Sequence, residues 1–392
     1  MPDTVPVLIV GAGPVGLSAA LALSKVGVEV RVLEAADDVD RSMRASTFHP
    51  PTLDIIASLG LGERLLACGL KVETFDLRQH DTGEYARFDL FAIRGETHHP
   101  YRLQVEQHRY CDLAVEALQL QGVEVRFGER VETLQQDDSS VTVSTSAGTI
   151  GADWVIGADG AASAVRESLG VEYGGMTHTH SSVLVSTPFA FHEALPDISD
   201  ITYCWSDRGQ FSLLRLKNSW RASLYPGVED LDEAADEERV RDWLAYIHPD
   251  AHDAQLLDVN PYRVHERCVD RFRVGRVFLA GDAAHLNPPS GGMGMNGGIH
   301  DAMNLSGKLL RVIDGADPEL LERYHRQRHT IVSQRIIPQA SANRGRMGVA
   351  DRDDQMELLS RYRDIAADEA RCREFLLRTA MITSLREAKD IE

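Results

Sequence analysis

The stretch Val7-Leu8-Ile9-Val10-Gly11-Ala12-Gly13-Pro14-Val15-Gly16 constrains this chain more tightly than any other. Val5–Val10 is a short apolar run suited to a buried parallel strand. Gly16–Lys25 is rich in Ala and Leu and predicts the following helix. Between them the three glycines have separate tasks. Gly11 permits the tight turn, Gly13 lets backbone approach a pyrophosphate, and Gly16 lets helix and strand pack closely. Pro14 and Val15 complete the turn, where helix N–H groups carrying roughly half a positive charge face the phosphates. Glu29–Leu33 predicts the second strand of a βαβ unit, and Glu34 at its end is placed to accept from an adenosine ribose hydroxyl. A carboxylate there repels a 2′-phosphate, so the site suits FAD or NAD rather than NADP.

Two later motifs choose between them. Trp154-Val155-Ile156-Gly157-Ala158-Asp159-Gly160 is a buried strand running into a turn, followed by Ser163 and Arg166. Val277–Ala280 is another, and it delivers Gly281 and Asp282 to a strand's C-terminal end, where cofactors bind in open α/β sheets. An Asp there can accept from a ribityl hydroxyl, which a nicotinamide dinucleotide lacks. Gly291, Gly292, Gly294, Met295 and Asn296 then let backbone pass close to a flat ring and aim helix N–H groups at its pyrimidine edge. Taken in this order, the three motifs predict an FAD site.

The rest of the chain predicts how that site is housed. Lys71–Phe91 turns to strand-like alternation, Gln107–Gln121 to helix, and Val123–Phe127 and Val131–Thr145 to strands. Ser182–Phe191, Ile201–Ser206, Gln210–Leu216 and Ser219–Tyr225 read as an antiparallel sheet of their own. Asn296–Ile313 predicts a long helix, and everything from Glu319 onward reads as helical. The expected fold is α/β: a Rossmann-like FAD-binding domain with a parallel sheet (1–72, 101–177 and 264–330), an inserted antiparallel-sheet substrate domain (73–100 and 178–263), and a C-terminal helical region (331–392).

A net charge of −19 argues against nucleic acid as a partner, because phosphate binding needs a basic surface. The five cysteines form no CxxC and no zinc spacing, so no metal is expected, and they fit a reducing cytoplasm. Val5–Leu23 lacks a basic leader and is broken by Gly and Pro, so it is not read as a signal peptide or membrane span. A monomer or homodimer is expected.

The three motifs resemble those of the group A flavoprotein monooxygenases, the p-hydroxybenzoate hydroxylase-like aromatic hydroxylases. The likeness covers about Val7–Arg328 and is most specific from Gly281 to Leu310 (GDAAHLNPPSGGMGMNGGIHDAMNLSGKLL). It implies that Arg44 contacts the cofactor and that Gln107 opens a helix beside the flavin, with Gln104 as the competing glutamine. It also implies a cycle in which NADH or NADPH reduces FAD, oxygen adds at C4a, and the hydroperoxide hydroxylates a phenolic or heteroaromatic ring. In such enzymes the protein's task is binding, orientation and electrostatics. A phenol with a pKa near 10 costs roughly 4 kcal/mol to ionise at neutral pH unless the site supplies a base or positive field.

By the same resemblance the candidate catalytic residues are Tyr203 for the phenol, Arg215 and Arg221 for a carboxylate or the flavin, and Pro289 in the flavin loop. Tyr225 is a further aromatic candidate. His285 is expected to be structural, and His178 and His180 are weaker candidates for a proton relay. Met293 stands where relatives often carry Gln or Lys. A flavin-dependent halogenase is disfavoured because the four tryptophans show no WxW spacing. A flavin reductase or dehydrogenase without oxygen insertion remains the alternative, with a non-enzymatic flavin binder behind it.

Overall fold

The computed structural model describes residues 3–392. Asp3–Val10 lies inside the first sheet and pairs in parallel with Val30–Leu33 on one side and Gly148–Gly157 on the other. Glu124–Arg126 and Val277–Leu279 continue the parallel set outward. Val7, Leu8 and Ile9 are fully buried, as expected for a strand covered on both faces. The helix Pro14–Ser24 covers this strand and packs against Met293–Ile313. Its partner helix begins three residues earlier than the apolar pattern suggested, because Gly292 can hold the left-handed cap conformation (φ +65°) that starts it. The buried strand expected at the start of the Trp154–Gly160 motif is the end of Gly148–Gly157, which forms an antiparallel meander with Val131–Gln136 and Val141–Thr145.

The second sheet has eight strands. Its neighbours run antiparallel from His285–Leu286 through Asp258–Val269, Tyr173–Thr187, Trp220–Leu224 and Gly209–Arg215 to Ile201–Ser206. Beyond lies a departure from the expected pattern: Ile201–Ser206 pairs in parallel with Thr74–Gln79, which in turn pairs antiparallel with Tyr85–Asp89. Parallel neighbours need a long crossover. Here that crossover is the whole passage through the first sheet between residues 90 and 172. Tyr173–Thr187 and Asp258–Val269 carry the chain out to the second sheet and back. A small third sheet, Thr47–Phe48, Arg102–Gln104 and Leu70–Val72, joins the two.

The C-terminal region is helical as expected, in the segments Glu319–Ile331, Ile337–Met347, Arg352–Ala367, Glu369–Thr379 and Ile382–Asp390. Arg352–Ala367 and Glu369–Thr379 pack on the second sheet, whereas Glu319–Ile331 packs on Met293–Ile313 beside the first sheet. Leu359, Phe375 and Leu376 share one core with Phe75, Phe88 and Trp205, and the Phe375 ring lies 4.5 Å from that of Phe88. Glu96 holds both Arg373 and Arg386, tying two of the helices down. Among the described residues no helix is long and apolar enough to cross a membrane.

Candidate active site

A cavity of about 1020 Å³ runs between the two sheets, and the three glycine motifs converge on it. At the first motif, a Cβ on Gly11 (φ +106°) would stand 2.3 Å from the Ala158 carbonyl oxygen, and one on Gly16 would stand 2.0 Å from that of Gly11. Both sites exclude any side chain. Gly13 differs: nothing lies within 4 Å of its missing Cβ, and it lines the cavity. Gly13 also caps the helix Pro14–Ser24 without a side-chain hydrogen bond, so N–H groups of the first turn are open to an anion. Val15 lines the same space. The Glu34 carboxylate is held by the backbone N–H groups of Ala12 (2.8 Å) and Ala36 (2.9 Å) at the cavity wall.

Asp159 and Gly160 line the cavity from the second motif. Asp159 accepts from the Ser163 hydroxyl at 2.5 Å and the Val165 N–H at 3.1 Å, so it organises its own turn, and burial raises its pKa. Arg166 donates to the carbonyls of Ala161 and Ala283, linking the second motif to the third.

In the third motif Asp282 faces the cavity, and its carboxylate has no hydrogen-bond partner among the described residues. Its side chain is exposed on the cavity wall, and desolvation by the surrounding protein pushes its pKa up. Behind it, Gly281 does not line the cavity. Its N–H donates to Asp301 at 3.0 Å, and Asp301 also accepts from His285 (2.7 Å) and Arg328 (2.5 Å). His285 is therefore part of a buried ionic cluster, the structural role expected for it.

Gly292, Met293, Gly294, Met295 and Pro289 line the cavity, with Gly294 and Met295 in the first turn of their helix. Asn296 was expected beside them, but its amide is consumed internally. It accepts from the His49 N–H at 2.9 Å and donates to the carbonyls of Thr47 (2.9 Å) and Gly292 (2.7 Å). It fixes the flavin loop from behind.

Of the two glutamines, Gln107 opens the helix Gln107–Leu120 and lines the cavity. Gln104 is fully buried and bonded to Thr47. Arg44 lies at the cavity edge, paired with Asp40 at 3.1 Å. Its carbonyl accepts from Arg221 Nη1 at 2.6 Å. Arg221 lines the cavity, its Nε has no partner, and burial pulls its pKa below the usual arginine value.

Tyr203 and Tyr225 also line the cavity, but Arg215 does not. Side chains alternate across a strand. In Gly209–Arg215 the residues Gln210, Phe211, Ser212 and Leu214 line the cavity, whereas Arg215, at the strand's end on the face opposite Leu214, pairs with Asp200 at 3.1 Å. His178 and His180 also lie off the cavity. His178 bonds Glu266 at 2.6 Å, which accepts in turn from Ser341, and His180 is exposed.

The wall away from the glycine motifs is aromatic, and much of it escaped sequence reasoning. Phe75, Trp205, Tyr362 and Phe375 line it, together with Arg102 and Arg346. Three of these six come from the C-terminal helices. Tyr362 and Phe375, large rings on strongly charged helices, were the available signal. Arg346 is anchored by donation to Asn343, which itself donates to the Ser290 carbonyl of the flavin loop.

An open Gly13, a helix start without a cap, a fixed Glu34 and an unpartnered Asp282 along one cavity fit FAD. A cavity near the top of the usual range of about 300–1000 Å³ for small-molecule sites accommodates so large a group.

Comparison with known proteins agrees. The FAD binding domain family matches residues 4–338. Para-nitrophenol 4-monooxygenase of Pseudomonas sp. (strain WBC-3) is 35% identical over 388 residues, covering 95% of this chain and 94% of that protein. 6-Hydroxy-3-succinoylpyridine 3-monooxygenase of Pseudomonas putida (strain DSM 28022 / S16) is 34% identical over 354 residues, covering 86% and 87%. The crystal structure of p-nitrophenol 4-monooxygenase from Pseudomonas putida DLL-E4 superposes with a TM-score of 0.91 at 32% identity, covering 98% of each chain. These are oxygen-inserting enzymes, which supports the hydroxylase expectation over the reductase alternative. The chain belongs to the FAD binding domain family and is an FAD-dependent aromatic monooxygenase.

Proposed function

We propose that the chain hydroxylates a compact, single-ring phenol or hydroxylated heteroaromatic, with NADH or NADPH as reductant. The observation that carries this is the closure of the cavity's aromatic wall by the C-terminal helices through Met347, Tyr362 and Phe375. With FAD along the glycine motifs, that wall bounds the far end of the cavity, which favours a compact ring over a fused polycycle. The relatives named for p-nitrophenol and for a hydroxylated pyridine point the same way.

In this reading the FAD-binding unit is drawn from 1–72, 101–177 and 264–330, the substrate unit from 73–100 and 178–263, and 331–392 completes the site. Gly13 and the helix start after it receive the pyrophosphate, Glu34 the adenosine ribose, and Asp282 the ribityl chain. Gly292, Gly294 and Met295 lie along the ring. Bound FAD supplies the redox chemistry and the activation of O2. The residues of the chain do the rest: Tyr203 meets the substrate hydroxyl, Pro289 packs by the reacting edge, and the aromatic wall excludes water. A reduced interior with five unpaired cysteines suits the cytoplasm, as a monomer or homodimer.

The test is anaerobic flavin reduction by NADH and by NADPH with p-nitrophenol, hydroxypyridines, hydroxylated aromatic acids and polycyclic phenols. Strong acceleration by a single-ring compound, with a hydroxylated product in air, is the expected result. Acceleration by polycyclic phenols alone would overturn the substrate class.

A further inference from the structure

Arg102 is a buried cation without a counter-ion, set at the aromatic end of the cavity. It belongs to the middle strand of the third sheet, so Thr47–Phe48 and Leu70–Val72 hold its backbone from both sides. It is 3% exposed, lines the cavity, and forms no ion pair with any described residue. Its guanidinium lies 4.4 Å from the centre of the Phe75 ring. Its Nε has no hydrogen-bond partner, and its Nη1 stands 3.5 Å from the Tyr203 hydroxyl, the outer limit of a hydrogen bond. Phe75 in turn meets the rings of Tyr203 and Phe375, each at 6.5 Å. Leaving a buried charge unpaired is strongly unfavourable. The nearby titratable groups do not relieve it: His49 is kept neutral, and Tyr203 touches the guanidinium only loosely.

We propose that Arg102 is a further substrate-binding residue of this hydroxylase: beside the Tyr203 hydroxyl, its guanidinium meets an anionic oxygen of the aromatic substrate. This rests on the reading of the chain as a hydroxylase of single-ring phenols. The weak Arg102–Tyr203 contact leaves both donors free for a third group. The guanidinium is held against the Phe75 ring, and its fork of donors suits oxyanions better than a lysine ammonium does. Arg221, the other buried arginine on the cavity, is tied to the Arg44 carbonyl near the cofactor segment and is not needed for this task. A cation within about 4–6 Å lowers the pKa of an acid by about one to three units. The phenol's ionisation is thus favoured at binding, before any chemistry.

The experiment uses the FAD-loaded full chain and p-nitrophenol, whose phenolate has its own visible absorption, with p-nitroanisole as the ether that cannot ionise. Wild-type protein should bind p-nitrophenol as phenolate with its apparent pKa lowered by about one unit or more. Arg102→Met should abolish that shift and weaken p-nitrophenol binding by about tenfold or more, and Arg102→Lys should restore part of both. Binding of p-nitroanisole and FAD content should hold in all three proteins. If p-nitrophenol binds but its ionisation is unshifted, or the shift survives Arg102→Met, the assignment of Arg102 is overturned while the hydroxylase stands. Loss of FAD with unchanged phenolate ionisation overturns it too, by making Arg102 a cofactor partner. If the wild type binds neither p-nitrophenol nor a hydroxypyridine, the substrate class beneath the proposal fails with it.

Discussion

Asp301 is the residue whose charge the third motif depends on most. It is fully buried and accepts from Arg328 Nε at 2.5 Å, His285 Nε2 at 2.7 Å and the Gly281 N–H at 3.0 Å. Burial by itself would raise its pKa, but Arg328 and His285 outweigh burial and hold it at about 2, against an ordinary value of 3.8. At about 1.4 kcal/mol per unit, that difference corresponds to roughly 2–3 kcal/mol of stability. The folded pKa is depressed, so this contribution is present above the unfolded value and is lost as pH falls from near 4 through about 2.

Asp301→Asn leaves the Arg328 guanidinium, 1% exposed, without its counter-ion. The expected loss is about 3–5 kcal/mol, a large part of the roughly 5–15 kcal/mol that folded proteins command. Adding Arg328→Met removes the stranded charge and should recover much of the loss. Urea unfolding of the three proteins at pH 7, followed by flavin fluorescence and far-ultraviolet circular dichroism, measures both steps. An Asp301→Asn protein within 1 kcal/mol of wild type would refute the reasoning, as would a double variant weaker than the single one.

Three further outcomes follow from the same geometry. Gly16→Ala forces a Cβ to 2.0 Å from the Gly11 carbonyl and should yield protein without FAD, whereas Gly13→Ala meets no atom and should fold but bind FAD more weakly; purified flavin content separates them. Asp282→Ala removes a carboxylate with no partner of its own, so titration with FAD should show about tenfold weaker binding at unchanged urea stability. Tyr362→Ala opens the aromatic wall and should raise kcat/KM for two-ring phenols relative to single-ring ones, read from steady-state turnover of both.

The cofactor half of the site was legible because its constraints are local and act on backbone. Gly11, Gly13 and Gly16 are needed whatever the rest of the chain does, and so is an acid at the end of the second strand. Asn296 shows the limit of that reasoning. Its position in the motif was evident, but only the folded chain reveals that His49, Thr47 and Gly292 take up its amide. Arg215 failed for a different reason. The resemblance implied a role in the site, but the period of two in its strand sets it on the face opposite Leu214, where Asp200 takes it.

Substrate recognition resists reading along the chain because it is assembled from three distant segments, each with another duty. Arg102 is a strand residue in a three-stranded joint, Tyr203 belongs to a parallel pairing in an otherwise antiparallel sheet among the described residues, and Phe375 lies on a helix that also fills a core. None carries a spacing signature, since each is fixed by what packs behind it. The physical clue is a mismatch instead: a buried guanidinium with no carboxylate, among rings that could have been served by Leu or Met. A chain that keeps such a charge at a cavity wall retains an unfavourable term in the empty protein, and an anionic ligand is what relieves it. Cofactor sites of this kind can be found by motif, whereas their substrates are better sought by asking which buried charges the protein alone leaves unanswered.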